Sequence, residues 1–146
     1  MYIEEIDFTT LADQDDINMI TGADASKRER ALMMGMDEVR SYTRTRYRID
    51  QEFAKTGDAR NDYMMMIVLD LTLYHLFSML SPRMGMETRE KRYEAAISWL
   101  KGVRDRKSDP GIPSLDDPEE GGTNPVDNPE MFDTFRYGQT DNKSMY

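Results

Sequence analysis

The chain has 146 residues, enough for one compact core and too few for two ordinary domains, with 38% apolar and 32% charged residues. Its 28 acids outnumber its 19 bases for a net charge of -9, a field that repels nucleic acid and anionic lipid. No cysteine is present, which excludes disulfides, thiolate catalysis and sulfur-ligated metal and suits assembly in a reducing cytoplasm.

The composition changes near Lys107. Residues 1–106 hold one proline, 19 acids and 16 bases, whereas residues 107–146 hold five prolines, nine acids and three bases. The expected organisation is a helical body over 1–106 and an extended Pro/Gly/acidic arm over 107–146.

In chain order, Met1-Tyr2-Ile3-Glu4-Glu5-Ile6-Asp7 is acidic where a signal peptide would be basic, so no export signal is expected. Asp13, Asp15 and Asp16 surround the start of a short apolar pattern of Leu11, Ile17 and Ile20, and Gly22 stands where that helix would stop. Ser26 offers an N-cap for a long amphipathic helix over 26–48, on which Ala31, Leu32, Met36, Val39 and Tyr47 recur at helical spacing. Residues 50–61 read as a loop or single turn anchored by Phe53 or Ala54, and Asn61 or Asp62 can cap the next helix. From Tyr63 to Leu80 nearly every position is apolar, the pattern of a helix enclosed on almost all sides. Ser81-Pro82 ends it. Thr88 then caps a last helix whose inner face is Tyr93, Ala96, Ile97, Leu100 and Val103. The fold class is all-α, a small bundle of about four helices with a long C-terminal arm, and with no membrane span.

Few residues suggest chemistry. Asp13, Asp15 and Asp24 fall at positions 1, 3 and 12 of a calcium loop, but Ile17 and Asn18 stand where an oxygen ligand and a glycine are needed; these acids read as helix caps. His75, the single histidine, has no companion for a metal site and reads as a core or interface residue. Asp70 lies among apolar residues and needs a cation, with Arg40, Arg44 and Arg92 available. An Asp70–His75 acid–base pair would sit about 140° apart around an ideal helix and would not converge. With no nucleophile elbow, phosphate loop or paired carboxylates, neither catalysis nor a cofactor or metal is expected.

Three further features point to partners. Arg40, Arg44, Arg46 and Arg48, with Tyr42 and Tyr47 between them, could touch nucleic-acid phosphates or pair with acids of the same fold or an acidic neighbour. Met33 and Met34 beside Leu32 widen an apolar face beyond one neighbour's needs, marking a subunit interface shared with Arg44, Arg46 and Arg48. The arm ends in Met131, Phe132, Phe135, Arg136, Tyr137 and Tyr146, more aromatic than a disordered linker. Each anchor could contribute roughly 1.5–3 kcal/mol on burial, against about 1–2 kcal/mol per residue for ordering the backbone, so the arm needs a partner surface. Extended, it could reach on the order of 130 Å.

Asp70-Leu71-Thr72-Leu73-Tyr74-His75-Leu76, Pro82-Arg83 and Arg89-x-x-Arg92-Tyr93-Glu94-x-Ala96-x-x-Trp99-Leu100 resemble the last two core helices of the head-to-tail connector (adaptor, or head-completion) proteins of tailed bacteriophages. Met1-Tyr2-Ile3, the Leu11–Ile20 helix and a long helix closing on Arg46-Tyr47 resemble the family's first part. Gly121-Gly122-Thr123-Asn124-Pro125 and Phe135-Arg136-Tyr137-Gly138 are similar to the extended arms of some members. The resemblance implies a virion protein of the neck between head and tail. It would form a ring, usually of twelve copies, bound to the portal, presenting a platform to the next tail or stopper component and passing double-stranded DNA without reading its sequence. The acidic balance suits such a passage, because cationic walls would retain a polyanion. The competing expectation is a helical nucleic-acid-binding packaging or regulatory subunit that uses Arg40 to Arg48.

Overall fold

A computed structural model describes residues 1–22, 24–79 and 86–119. It divides the chain into a compact unit, Met1–Leu115, and a second unit, Asp116–Tyr146. The first unit is all-α: among the described residues there are six helices and, besides them, a single 3-10 turn and one isolated β-bridge.

Helix α1 (Glu5–Phe8) was not anticipated; it is short and buries Phe8 and Asp7. Helix α2 (Gln14–Thr21) starts where the Asp13 carboxylate accepts from the Asp15 N–H at 2.8 Å and stops at Gly22, in the left-handed region at φ 58°. Ile17 and Ile20 face the core.

Helix α3 (Ala25–Thr43) departs from expectation at both ends. Asp24, not Ser26, is its N-cap, accepting from the Ser26 N–H at 2.9 Å; a carboxylate there also faces the positive end of the helix dipole. The helix ends at Thr43 rather than at 48 because the following backbone is claimed elsewhere. The Arg46 carbonyl accepts from the Leu115 N–H at 2.9 Å, the Arg48 N–H donates to the Pro113 carbonyl at 2.9 Å, and Tyr47 bridges Ser114. The five-residue helix α4 (Ile49–Phe53) then buries Ile49 and Phe53, while Ala54, a suggested anchor, is exposed.

Helix α5 (Asp62–Phe77) opens on Asn61, whose side-chain oxygen accepts from the Met64 N–H at 3.0 Å. It is the central helix: Met64, Ile67, Val68, Leu69, Leu71, Leu73, Leu76 and Phe77 are all buried. Helices α3 and α6 (Met86–Arg104) cover it. The closest approach is at Gly35 of α3, where an added methyl would meet Thr72 Oγ1 at 2.7 Å, the Thr72 nitrogen at 3.1 Å and the Val68 carbonyl at 3.3 Å. Only glycine lets the two backbones come so near.

The expected cap Thr88 lies inside the first turn of α6, and the helix stop expected at Ser81-Pro82 lies outside the described residues. Ala96, Leu100 and Val103 form the buried stripe of α6, flanked by half-buried Tyr93 and Ile97. At its end the Lys107 N–H donates to the Gly102 carbonyl and the Arg106 N–H to the Val103 carbonyl, with Arg106 at φ 60°. This paired capping pattern turns the chain back on itself.

Residues 107–115, which composition assigns to the arm, therefore run across the body as a strap. Pro110 and Ile112 are buried, and Asn61 Nδ2 donates to the Pro110 carbonyl at 3.2 Å.

Candidate functional site

The buried polar side chains serve cohesion. Asp70, 5% exposed, receives two hydrogen bonds from Arg92: Nε at 2.6 Å and Nη2 at 3.2 Å. Arg92 is thus the partner, while Arg40 donates to Asp37 and Asp50 and lies over the Phe53 ring at 5.0 Å. Such a forked pair fixes the α5–α6 register while neutralising a carboxylate that would otherwise be costly to bury.

His75 belongs to a separate cluster. Its Nε2 lies 2.9 Å from Glu38 Oε2, and the Tyr93 hydroxyl donates to Glu38 Oε1 at 2.6 Å. Tyr93 stacks on Tyr74 with ring centroids 4.0 Å apart. Burial, then the Glu38 carboxylate, push the Tyr93 hydroxyl's pKa well above the ordinary tyrosine range. Glu38 so ties α3 to both α5 and α6. Asp70 and His75 have different partners and form no acid–base pair.

Glu52, 1% exposed, forms a third cluster that sequence reasoning missed. It accepts from the Tyr2 hydroxyl at 2.9 Å, the Asn61 N–H at 2.6 Å and Lys55 Nζ at 2.6 Å. Burial raises its pKa, but these donors outweigh that and hold it below the ordinary value. Tyr2 is shifted upward by burial and by Glu52. Beside it Arg60 Nη1 donates to Asp7 and to the Tyr2 carbonyl, both at 2.7 Å. In the sequence Glu38 and Glu52 look like ordinary surface acids, Glu52 with a common i,i+3 lysine at Lys55; the partners that bury them, Tyr2, Asn61, His75 and Tyr93, lie between 9 and 55 residues away.

The outer side of α3 differs in kind. Met33 is 63% and Met34 45% exposed, side by side on one helix; among the described residues Met1, Ile6, Met19, Tyr63, Met79 and Leu115 are the other exposed large apolar side chains. On the same side Arg30 and Arg44 are exposed and form no ion pair among the described residues. Next to this face Met1, Ile3, Phe8 and Leu32 floor a depression of about 80 Å³, rimmed by Glu29 and by Arg28 with its ion-pair partner Glu5.

The arginine corner is largely committed to the fold. Arg40 pairs with two acids, and Arg48 Nε donates to the Ser114 carbonyl at 3.3 Å. Arg46 is half-buried and passes its carbonyl to the strap, leaving Arg44 most open to solvent beside a shallow cleft of about 220 Å³ that Tyr47, Ile49 and Leu115 also line. The arm anchors Met131, Phe132, Phe135, Arg136, Tyr137 and Tyr146 lie outside the described residues.

Among the described residues, no three His, Asp or Glu side chains are grouped to hold a metal ion, and no helix is long and apolar enough to cross a membrane. The acids Asp13 and Asp24 are occupied as helix caps.

No curated protein and no solved structure matches the chain. The sequence model of one protein family, described as "Bacteriophage Mu, Gp36", matches residues 2–127. That span takes in the whole helical body and the start of the second unit. The chain is a bacteriophage protein and belongs to the Bacteriophage Mu Gp36 family.

Proposed function

We propose that this protein is a structural virion subunit that assembles as a ring between the capsid portal and the tail, in the neck of the particle. The reading asks no catalysis of the chain. The observation that carries it is the bare outer side of α3, where Met33 and Met34 stand 63% and 45% exposed on a helix whose opposite side is closely packed. Adjacent exposed apolar side chains of this kind suit a protein–protein contact. Side-by-side packing of copies through α3 would cover it.

Two properties of the chain support the reading. Membership of a bacteriophage family sets the context. The net charge of -9 suits the wall of a channel that double-stranded DNA crosses without being held. In the competing role as a nucleic-acid-binding packaging or regulatory subunit, the Arg40–Arg48 stripe would meet phosphates. Arg40 and Arg48 are turned to partners within the fold, which leaves that role short of free cations.

Electron microscopy of the purified protein incubated with its phage's portal separates the two. Closed rings seated on the portal are the expected result. A salt-dependent shift of duplex DNA that disappears in an R44Q/R46Q variant, with no rings, would replace the connector reading by the nucleic-acid one.

A further inference from the structure

The structure offers a bare surface on one unit, and the sequence holds an apolar segment in the other. We infer that the outer side of α3, with the small depression beside it, receives the C-terminal segment Met131–Tyr137 of a second copy of this chain. The inference rests on the oligomeric reading above and names the contact that would join neighbours.

The surface has the form such a segment needs. Met33 and Met34 make an apolar ledge, and the depression floored by Ile3, Phe8 and Leu32, of about 80 Å³, has room for the end of one aromatic side chain. Lys27 and Arg30 are exposed on the same helix. Arg30 has no acid partner among the described residues.

The segment is complementary. Met131, Phe132, Phe135 and Tyr137 supply apolar and aromatic groups. The stretch leading into it, residues 116–133, holds seven acids (Asp116, Asp117, Glu119, Glu120, Asp127, Glu130 and Asp133) and no base. Lys27 and Arg30 attract that stretch, while Glu29 and the Arg28–Glu5 ion pair leave the depression itself without a positive rim, so its apolar floor carries the contact. Phe132 itself then supplies the buried anchor that charge alone does not.

Reach allows it. The compact unit ends at Leu115, and Met131 lies 16 residues further on, up to about 55 Å in extended form. A unit of 115 residues has a radius of gyration of roughly 13 Å by the usual scaling. A neighbour packed against the body is therefore within range.

Photo-crosslinking in the full-length chain tests this. Phe132→benzoylphenylalanine protein, prepared unlabelled and ¹⁵N-labelled, is mixed in equal parts, irradiated and digested. The expected products are mixed-label crosslinks from position 132 to residues 29–34 of α3, lost when M33D/M34D is added to the recipient copy. That same double substitution should weaken self-association at least tenfold while leaving the circular dichroism spectrum unchanged. Crosslinks confined to one label, crosslinks to another face, or no crosslinks would each overturn the inference. If the wild-type chain still forms closed oligomers in those cases, the ring reading survives without this contact. A wild-type chain that stays monomeric with and without portal brings down both.

Discussion

The two sides of helix α3 are under opposite demands. On the inner side, Gly35 sits so close to Val68 and Thr72 of α5 that a single added methyl would fall 2.7 Å from Thr72 Oγ1. On the outer side, two residues away, Met33 is 63% exposed. The inner side is fixed by the fold down to one carbon atom, whereas the outer side spends two large apolar residues where the isolated body gains little from them. What the fold does not require there is available for assembly.

This comparison can be broken or sharpened by substitution. The largest loss is expected at the inner layer from Arg92→Met, which leaves Asp70, 5% exposed, without its cation. Uncompensated buried charges cost about 3–5 kcal/mol, and the partial exposure of Arg92 places this one near about 3 kcal/mol, read as a lower midpoint in urea unfolding. Gly35→Ala should cost about 2 kcal/mol: overpacking of about 1–3 kcal/mol is offset only in part by alanine's better helix propensity of about 1 kcal/mol. A variant as stable as the wild type would mean that α3 and α5 can separate freely, and the contrast between the two sides would fail.

The pH dependence tests the clusters that hold the inner layer. Glu52 ionises below its ordinary value when folded, because its three donors prevail over burial. Its contribution is therefore complete above about pH 4.5, the unfolded value, and is lost as pH falls through the lower folded value. The stability of the wild type should drop more steeply than that of E52Q between pH 5 and pH 3. Tyr93 has the opposite sign: its folded value is raised by burial and by Glu38, so its contribution is present below about pH 10 and lost above it. Tyr93→Phe should flatten the alkaline limb of the stability profile; an unchanged limb would place the hydroxyl in water.

The smallest effect on stability is expected on the outer side. Met33→Ser with Met34→Ser should move the unfolding free energy by no more than about 0.5 kcal/mol, the range of exposed positions. The effect should appear in association instead.

Much of the fold was legible in the sequence. The unbroken apolar run of α5, the Gly22 stop of α2 and the Asn61 cap are local signals, and each maps onto a single structural event. The errors have one cause. Helix α3 stops at Thr43 and the strap stays on the body to Leu115 because residues 46–48 pair with residues 113–115, contacts that local propensity does not encode. Glu38 and Glu52 were missed for the same reason. The exposure of Met33 and Met34 was legible because apolar residues next to each other on a helix cannot both face one partner; it follows from Gly35 fixing which side of α3 meets α5.

Native mass spectrometry of the wild type beside the Met33→Ser/Met34→Ser variant tests the central claim, that the outer side of α3 serves assembly and not folding. The account predicts a closed oligomer for the wild type, and for the variant a shift to monomer with an unchanged melting temperature. The same oligomer from both proteins would contradict it.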